Sequence, residues 1–357
     1  MPLYLNPDFL RLPSELAHLF NNATEDSFFT LPVWYDLMTR YGVPAKSEIR
    51  IYTDELPEPA VALLLRNTAP EGRRLTSLAN AYSVEHGIVY RPGADHDAGF
   101  AAILSEILSE QPGWEGLRLT EFDPLDPSYR AAVGSLRRAG LFVTCAFDSG
   151  TWYEETAALS FAHYVAARPS ELRNTWRRKR RRVEHGNRLS KAFFADTTRI
   201  EQAIADYQTI YAASWKPAES FPEFIPVLIR LAAELGALRL GIYYIDGVPA
   251  AAQFWIVWHG RAVIYKLAHD KRLDNLSLGT LLTMEMIERV LADDRPREIT
   301  LGRGDDPYKK LWLPRRRERW GINADNPRTW RGLGVGLRRK AGTLYRRLHG
   351  SRVSAFR

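Results

Sequence analysis

The stretch AVIYKLAHDKRLDNLSLGTLLTMEMIERVL, residues 262–291, holds the side chains best suited to seat an anion. A run of β-branched and aromatic residues ends at Asp270 and a polar loop follows. Ser277 then stands where it can cap a helix whose first turn is Leu278-Gly279-Thr280. A helix N-terminus presents backbone N–H groups without internal partners and the positive end of the dipole. It is a natural seat for a pyrophosphate. Gly279 has no Cβ and lets a phosphate come close to the backbone. The same Ser-x-Gly-Thr pattern also opens helices for capping alone, so this stretch by itself leaves both readings open.

Other polar residues near it have plain structural readings as well. Asp305-Asp306-Pro307 can cap a short helix at Tyr308–Trp312, and Lys309 can be a solvated charge. Lys266 lies mid-strand and can lay its stem along the sheet. Trp215 has the composition of a core residue. Cys145 is the one cysteine and sits in the apolar run LFVTCAF, where it reads as a small core hydrophobe. Arg303-Gly304-Asp305 spells an adhesion tripeptide but is better explained as a strand-end loop. No Cys/His cluster has zinc spacing, no GxxxxGK[ST] loop is present, and no GxSxG elbow is present. Asp293-Asp294 ends a helix and reads as an exposed pair.

The elements that must position these residues follow from patterning. The chain has 357 residues, 45% hydrophobic and 25% charged, and its length favours two domains. Strands are predicted over 48–54, 59–67, 73–82, 117–123 and 141–155, with helices over 95–111 and 126–140. The second half repeats the mixture. A helical stretch is broken at Pro169, a strand covers 191–196, and helices cover 199–215 and 224–236. Three strands in 236–270 are joined at Asp246-Gly247 and His259-Gly260, both tight-turn signals. A helix over 278–294 and a strand from 297 complete it. The fold class expected is α+β, or mixed α/β.

Order and motifs together carry a resemblance. Three meandering strands, a loop, a helix and a further strand resemble the acyl-CoA-binding core of the GNAT acyltransferase superfamily. YKLAHD, LSLGTLL and EITLGRGDDPYKKLW within 265–312 resemble the acetyltransferase family often found beside bacterial cellulose and exopolysaccharide synthesis genes, itself distantly similar to Fem-type aminoacyl transferases. ELRNTWRRKRRRVE, YAASWKPAE and LRLGIYYIDGVPAAAQFWI match it too, and RRLTSLANAYSVEHGIVY more loosely. The usual GNAT pyrophosphate signature, Gln/Arg-x-x-Gly-x-Gly/Ala, is absent, since DNLSLGT holds one glycine.

The resemblance implies two tandem GNAT-like domains, 1–155 and 156–325, and the Gly- and Arg-rich composition beyond them reads as a basic, partly ordered tail over 326–357. It implies acyl transfer from acetyl-CoA or another acyl-CoA, without a metal, to a sugar, polysaccharide precursor or envelope metabolite. Lys266, Leu267, Ser277, Leu278, Gly279 and Thr280 would hold the donor. Asp270 or Asp305 would be the base, Lys309 a fixed cation and Tyr308 a proton donor. Trp215, Lys216, Glu219, His269 and Trp312 would line the acceptor side.

Two other function classes remain open. One is a Fem-like enzyme taking its acyl group from charged tRNA. The other is a basic interaction module. The net charge of +7 is unevenly placed: residues 315–357 hold thirteen Lys/Arg against two acids, so the body is mildly acidic. In the tail, Leu333, Leu337, Leu344 and Leu348 lie among arginines as in a helix on an anionic membrane, although glycines at 332, 334 and 336 weaken that helix. The run WRRKRRRVEH (176–185) reads as an amphipathic helix. Leu172, Trp176, Lys179 and Val183 make its packing stripe, and five arginines face outward, so a nucleic-acid role is disfavoured. Without a signal peptide or a spanning segment, the location expected is cytoplasmic, with a possible attachment to the inner membrane face.

Overall fold

The computed structural model describes residues 3–23, 27–55, 57–68, 72–84, 88–186 and 188–348. The chain divides into two compact units. One holds Phe29–Ser149 with the N-terminal residues and the chain from Glu318 onward; the other is Gly150–Arg317 with a short piece at Phe28.

The first unit contains β1 (Leu3–Leu5), α1 (Ser14–Ala23), α2 (Pro32–Tyr41), β2 (Ser47–Thr53), β3 (Val61–Thr68), β4 (Arg74–Ser77), β5 (Ile88–Tyr90), α3 (His96–Ser109), β6 (Gly116–Phe122) and α4 (Pro127–Arg138). Its strands run β1-β2-β3-β4-β6, with β5 beside β3, and β4 pairs β6 in parallel. Asp95 accepts from the Asp97 and Ala98 amides at 3.0 Å and so starts α3. Asp126 accepts from Ser128 N at 2.8 Å, with Pro127 beginning α4. Leu63, Leu65, Phe100, Ile103, Leu119 and Leu136 form its core. Cys145 is half-buried and packs against that cluster.

β7 (Phe142–Glu155) leads out of this unit. The second unit continues with α5 (Phe161–Ala166), α6 (Ser170–His185), β8 (Leu189–Phe194), α7 (Ile200–Ala212), α8 (Phe224–Glu234), β9 (Leu238–Ile245), β10 (Val248–Trp258), β11 (Arg261–His269), a 3₁₀ turn (Lys271–Leu276), α9 (Leu278–Asp293), β12 (Glu298–Thr300) and a 3₁₀ turn (Pro307–Leu311). Its order is β7-β12-β11-β10-β9-β8, antiparallel except for β11 and β12. The β9–β10 and β10–β11 turns hold Asp246-Gly247 and His259-Gly260 with positive φ at both residues, as two-residue hairpins require. Each unit therefore has strands closing on one parallel pair with a crossover helix between them, α3 in one and α9 in the other. The fold is mixed α/β with mostly antiparallel strands.

Three features depart from the patterning. β4 is four residues long, not ten. Helices α1 and α2 go unread in the sequence. Beyond the proposed catalytic loop, β13 (Arg315–Asp325) and α10 (Trp330–Leu348) form where only a loop and a tail are expected. Residues Trp320–Asp325 of β13 pair antiparallel with β6, so the chain from Glu318 joins the first unit rather than ending the second. The Gly332 and Gly336 positions explain why a glycine-rich stretch stays helical. A Cβ at Gly332 would strike the Asn326 and Glu115 carbonyls, and one at Gly336 would strike the Phe142 ring. Their smallness lets the helix dock, and the docking offsets their poor propensity. The side chains of Leu344 and Leu348 lie outside the described residues.

Candidate active site

The site is built on β11. Its parallel register with β12 covers three pairs, from Arg261 opposite Glu298 to Val263 opposite Thr300. Against β10 the register slips between Phe254 and Trp255: Phe254 faces Lys266 and Trp255 faces Ile264, which leaves Tyr265 as an extra residue. A bulge of this kind bends its strand. Here it falls just past Val263, where the pairing with β12 ends, so among the described residues Lys266–His269 pair with β10 alone.

α9 starts at the end of that strand. The amides of its first turn, Leu278 to Thr280, have no carbonyl behind them in the helix. Ser277 sits in the left-handed region at φ 54° and its side chain makes no cap bond, so the expected Ser277 cap does not form. The turn is fixed from beneath instead. Gln253, 1% exposed in the otherwise apolar β10, donates to the Thr283 hydroxyl and, at 3.3 Å, to Gly279 O; it accepts from the Trp255 indole at 3.0 Å. Gln253 was missed in the sequence, although a lone amide in VPAAAQFWIVW is a detectable signal. Leu278 is buried in the core, and Thr280 and Leu267 are half-buried. Gly279 faces His269: a Cβ there would lie 3.2 Å from the imidazole Nδ1. His269 Nε2 is 2.8 Å from Asp274 Oδ1, while Nδ1 is buried without a hydrogen-bond partner.

The loop after α7 meets the end of β11 at two points and the turn that follows it at a third. Lys271 N donates to Ala213 O at 3.2 Å. The Trp215 ring sits 4.6 Å from His269, and Trp215 stays 49% exposed. Glu219 Oε1 receives Lys266 Nζ at 2.7 Å, a largely buried pair. Between them Lys216 is half-buried, with its ammonium 5.8 Å from the Trp215 ring. Loss of water, then the neighbouring Lys266 charge, depress the Lys216 amine to about 8. The acceptor-side residues Trp215, Lys216, Glu219 and His269 thus converge, and Lys266 joins them rather than the helix terminus.

The remaining expected residues are placed otherwise. Asp270 accepts from Arg272 N at 2.9 Å and pairs with the Arg272 guanidinium at 2.6 Å. Asp305 pairs with Arg316 at 2.6 Å and accepts from the Trp152 indole at 3.1 Å. Hydrogen bonds from Arg272 and Arg316 respectively hold both carboxyls below the ordinary aspartate range. Neither fits the base role, because a carboxylate stabilised in its charged form is a weaker proton acceptor. Lys309 is 5% exposed and donates to the Leu301, Arg303 and Gly304 carbonyls at 3.0, 2.9 and 3.1 Å. All three ammonium hydrogens are used, so Lys309 pins the loop after β12 instead of offering a cation to substrate. Tyr308 is 44% exposed and its hydroxyl is pushed up to about 12 by desolvation and the Asp306 carboxylate, which suits it poorly to proton donation. Trp312 is a core residue whose carbonyl accepts from Tyr164 at 2.9 Å.

α6 behaves as its spacing predicts. Leu172 and Val183 are buried, Trp176 packs on the same cluster, and Lys179 Nζ donates to Asn275 O in the loop before α9. Arg177, Arg178, Arg180, Arg181 and Arg182 are exposed. Among the described residues no group of three or more His, Cys, Asp or Glu is arranged to hold a metal ion. Among them, too, no helix is long and apolar enough to cross a membrane.

The parallel pair β11–β12 is joined through α9, whose N-terminus follows the end of β11. Residues 170–310 match the family model described as acetyltransferase (GNAT) domain. The second unit thus carries a GNAT acetyltransferase-type domain, and the chain is an enzyme of the acyltransferase class. Over most of the chain the fold is similar to a tandem GNAT protein from the clavulanic acid biosynthesis pathway, at 13% identity and TM-score 0.50, covering 91% of this chain and 99% of that one. It is also similar to FemX, at 8% identity and TM-score 0.56, covering 90% and 97%. L-PGS from Bacillus licheniformis is a third, at 10% identity and TM-score 0.53, covering 93% and 97%. No curated protein sequence matches the chain.

Proposed function

We propose that the enzyme transfers an acyl group from acyl-CoA to an amine or hydroxyl of a sugar, polysaccharide precursor or envelope metabolite. The observation that carries this reading is the edge of β11 left open where its pairing with β12 ends at Val263, beside the first turn of α9. Strand amides at such an opening can donate to a thioester oxygen as negative charge develops on it. The helix terminus and the nearby Lys179 and Arg272 suit the polyanionic part of the donor. The test is thermal unfolding with CoA and acyl-CoAs of several chain lengths. A rise in Tm is expected, since a ligand that binds only the folded state stabilises it. No shift at saturation with any of them would sink the reading.

The Fem-like alternative is favoured by one feature, the exposed arginine face of α6, which suits an RNA backbone. Were it right, charged tRNA would give product, binding would weaken steeply with salt, and CoA would leave Tm unchanged.

A peripheral membrane role for α10 rests on a separate observation. Trp330, Leu333 and Leu337 are 79%, 39% and 53% exposed and share one side of the helix, beside the face docked through Gly332 and Gly336. Basic residues flank this stripe, as at an anionic lipid surface.

A further inference from the structure

The loop Ala213–Glu219 crosses the open half of β11, and at its centre one amine has no use within the fold. Lys216 N is tied to Ser214 Oγ at 3.3 Å, and the Tyr211 hydroxyl donates to Pro217 O at 3.2 Å, so the loop is held on both sides of this residue. Among the described residues no acceptor lies within hydrogen-bond reach of Lys216 Nζ. Glu219, the nearest carboxylate along the loop, is taken by Lys266. The charged groups that act on Lys216 are Lys266 on β11, Glu219 on its own loop, and Lys309 and Asp306 on the turn after β12. The Trp215–His269 and Glu219–Lys266 contacts on either side of Lys216 hold it against the end of β11 that lies beyond the pairing with β12. The two carboxylates that the sequence nominates as bases are locked in ion pairs, and Lys309 is saturated by carbonyls.

We infer that Lys216 is the general base of the transfer, receiving the proton of the attacking amine or hydroxyl. The inference rests on the acyl-CoA reading above. The neutral Nζ lone pair takes the proton as the acceptor's heteroatom bonds to the thioester carbon. The tetrahedral adduct collapses, the carbon–sulfur bond breaks, and the leaving thiolate takes that proton back from the Lys216 ammonium. Lysine returns neutral and CoA leaves as the thiol, with no other reactant needed. Desolvation and the Lys266 and Lys309 charges leave much of this amine neutral near pH 8, whereas an ordinary lysine is neutral only above pH ~10.

Two measurements test this on the full chain. The first is competitive labelling of wild-type protein with trace acetic anhydride from pH 6 to 11, read by mass spectrometry. Lys216 should reach half-maximal labelling near pH 8, below the ordinary lysine value of ~10.4, with the exposed Lys46 and Lys310 as internal references. The second follows thiol release from acetyl-CoA with a panel of sugars and amino sugars, and with water alone. Wild-type turnover should rise with pH through the same range. Lys216→Met and Lys216→Arg should both lose about a hundredfold or more in kcat, within the ~10²–10⁴ range of general-base catalysis, while the CoA-induced rise in Tm persists. Labelling of Lys216 in step with Lys46 and Lys310 would overturn the inference. So would an active Lys216→Arg, which would make the residue an anion contact. A wild-type protein whose Tm ignores CoA strikes the donor reading instead, and the labelling result still reports on Lys216.

Discussion

At the scale of single residues, burial and hydrogen-bond saturation decide what each charge does. Asp305 shows this for a carboxylate. Its folded-state pKa is depressed by Arg316, so its contribution to stability is present above the ordinary aspartate pKa of ~3.9 and is lost as pH falls through the depressed value. Asp305→Asn should therefore lower the urea midpoint at pH 7, and the difference from wild type should close as pH drops below about 4. Lys309→Met should cost about 1–3 kcal/mol, because three loop carbonyls lose their donor in a buried setting. Lys266→Met should move the Lys216 labelling midpoint upward. It removes a neighbouring cation and frees Glu219, and both changes favour the charged amine.

At the scale of elements, the site depends on how α9 and β11 are held. Gln253→Leu leaves the buried Trp255 indole without its acceptor and takes one donor from the Thr283 hydroxyl, which keeps its bond to Gly279 O. About 1–3 kcal/mol of stability should go, and the CoA-induced rise in Tm should shrink as the first turn of α9 loosens. Gly336→Leu is the matching probe in the first unit. The added side chain meets Phe142, and overpacking of this kind costs about 1–3 kcal/mol. Chemical denaturation checks both. The hairpins, the long amphipathic helices and the break at Pro169 were legible, because periodicity and turn chemistry are local. The bulge at Tyr265 was not. It is a mismatch between two strands and exists only once they pair.

At the scale of the whole molecule, the uneven charge bears on surfaces. The stretch from Arg315 carries most of the excess positive charge, and α10 bears an exposed apolar stripe. The proposed membrane contact predicts flotation with anionic vesicles that weakens with salt. Trp330→Ser, Leu333→Ser and Leu337→Ser together should abolish it. Unchanged flotation would remove the proposal. Deleting 326–357 is a poorer test, since Gly332 and Gly336 pack into the first unit and their loss would disturb it. The dock of α10 was illegible because glycine's low helix propensity argues against a helix until the close approach it permits is known.

The sequence by itself determined the class. The order of strands and helices, the tight turns, the Leu278-Gly279-Thr280 helix start and the packing stripe of α6 all follow from residues close together in the chain. Trp215, Lys216, Glu219 and His269 came forward for the acceptor side only through the family resemblance, not through spacing. Only the tertiary structure decided which of the charged residues are spent. Asp270 and Asp305 each pair with an arginine, Lys309 with three carbonyls and Lys266 with Glu219, while among the described residues no acceptor lies within hydrogen-bond reach of the Lys216 amine. Partnership of that kind depends on where distant backbone and side-chain atoms come to rest. A carboxylate or amine of given type can be cap, pin or base, and its surroundings in space, not its place in the chain, select among them.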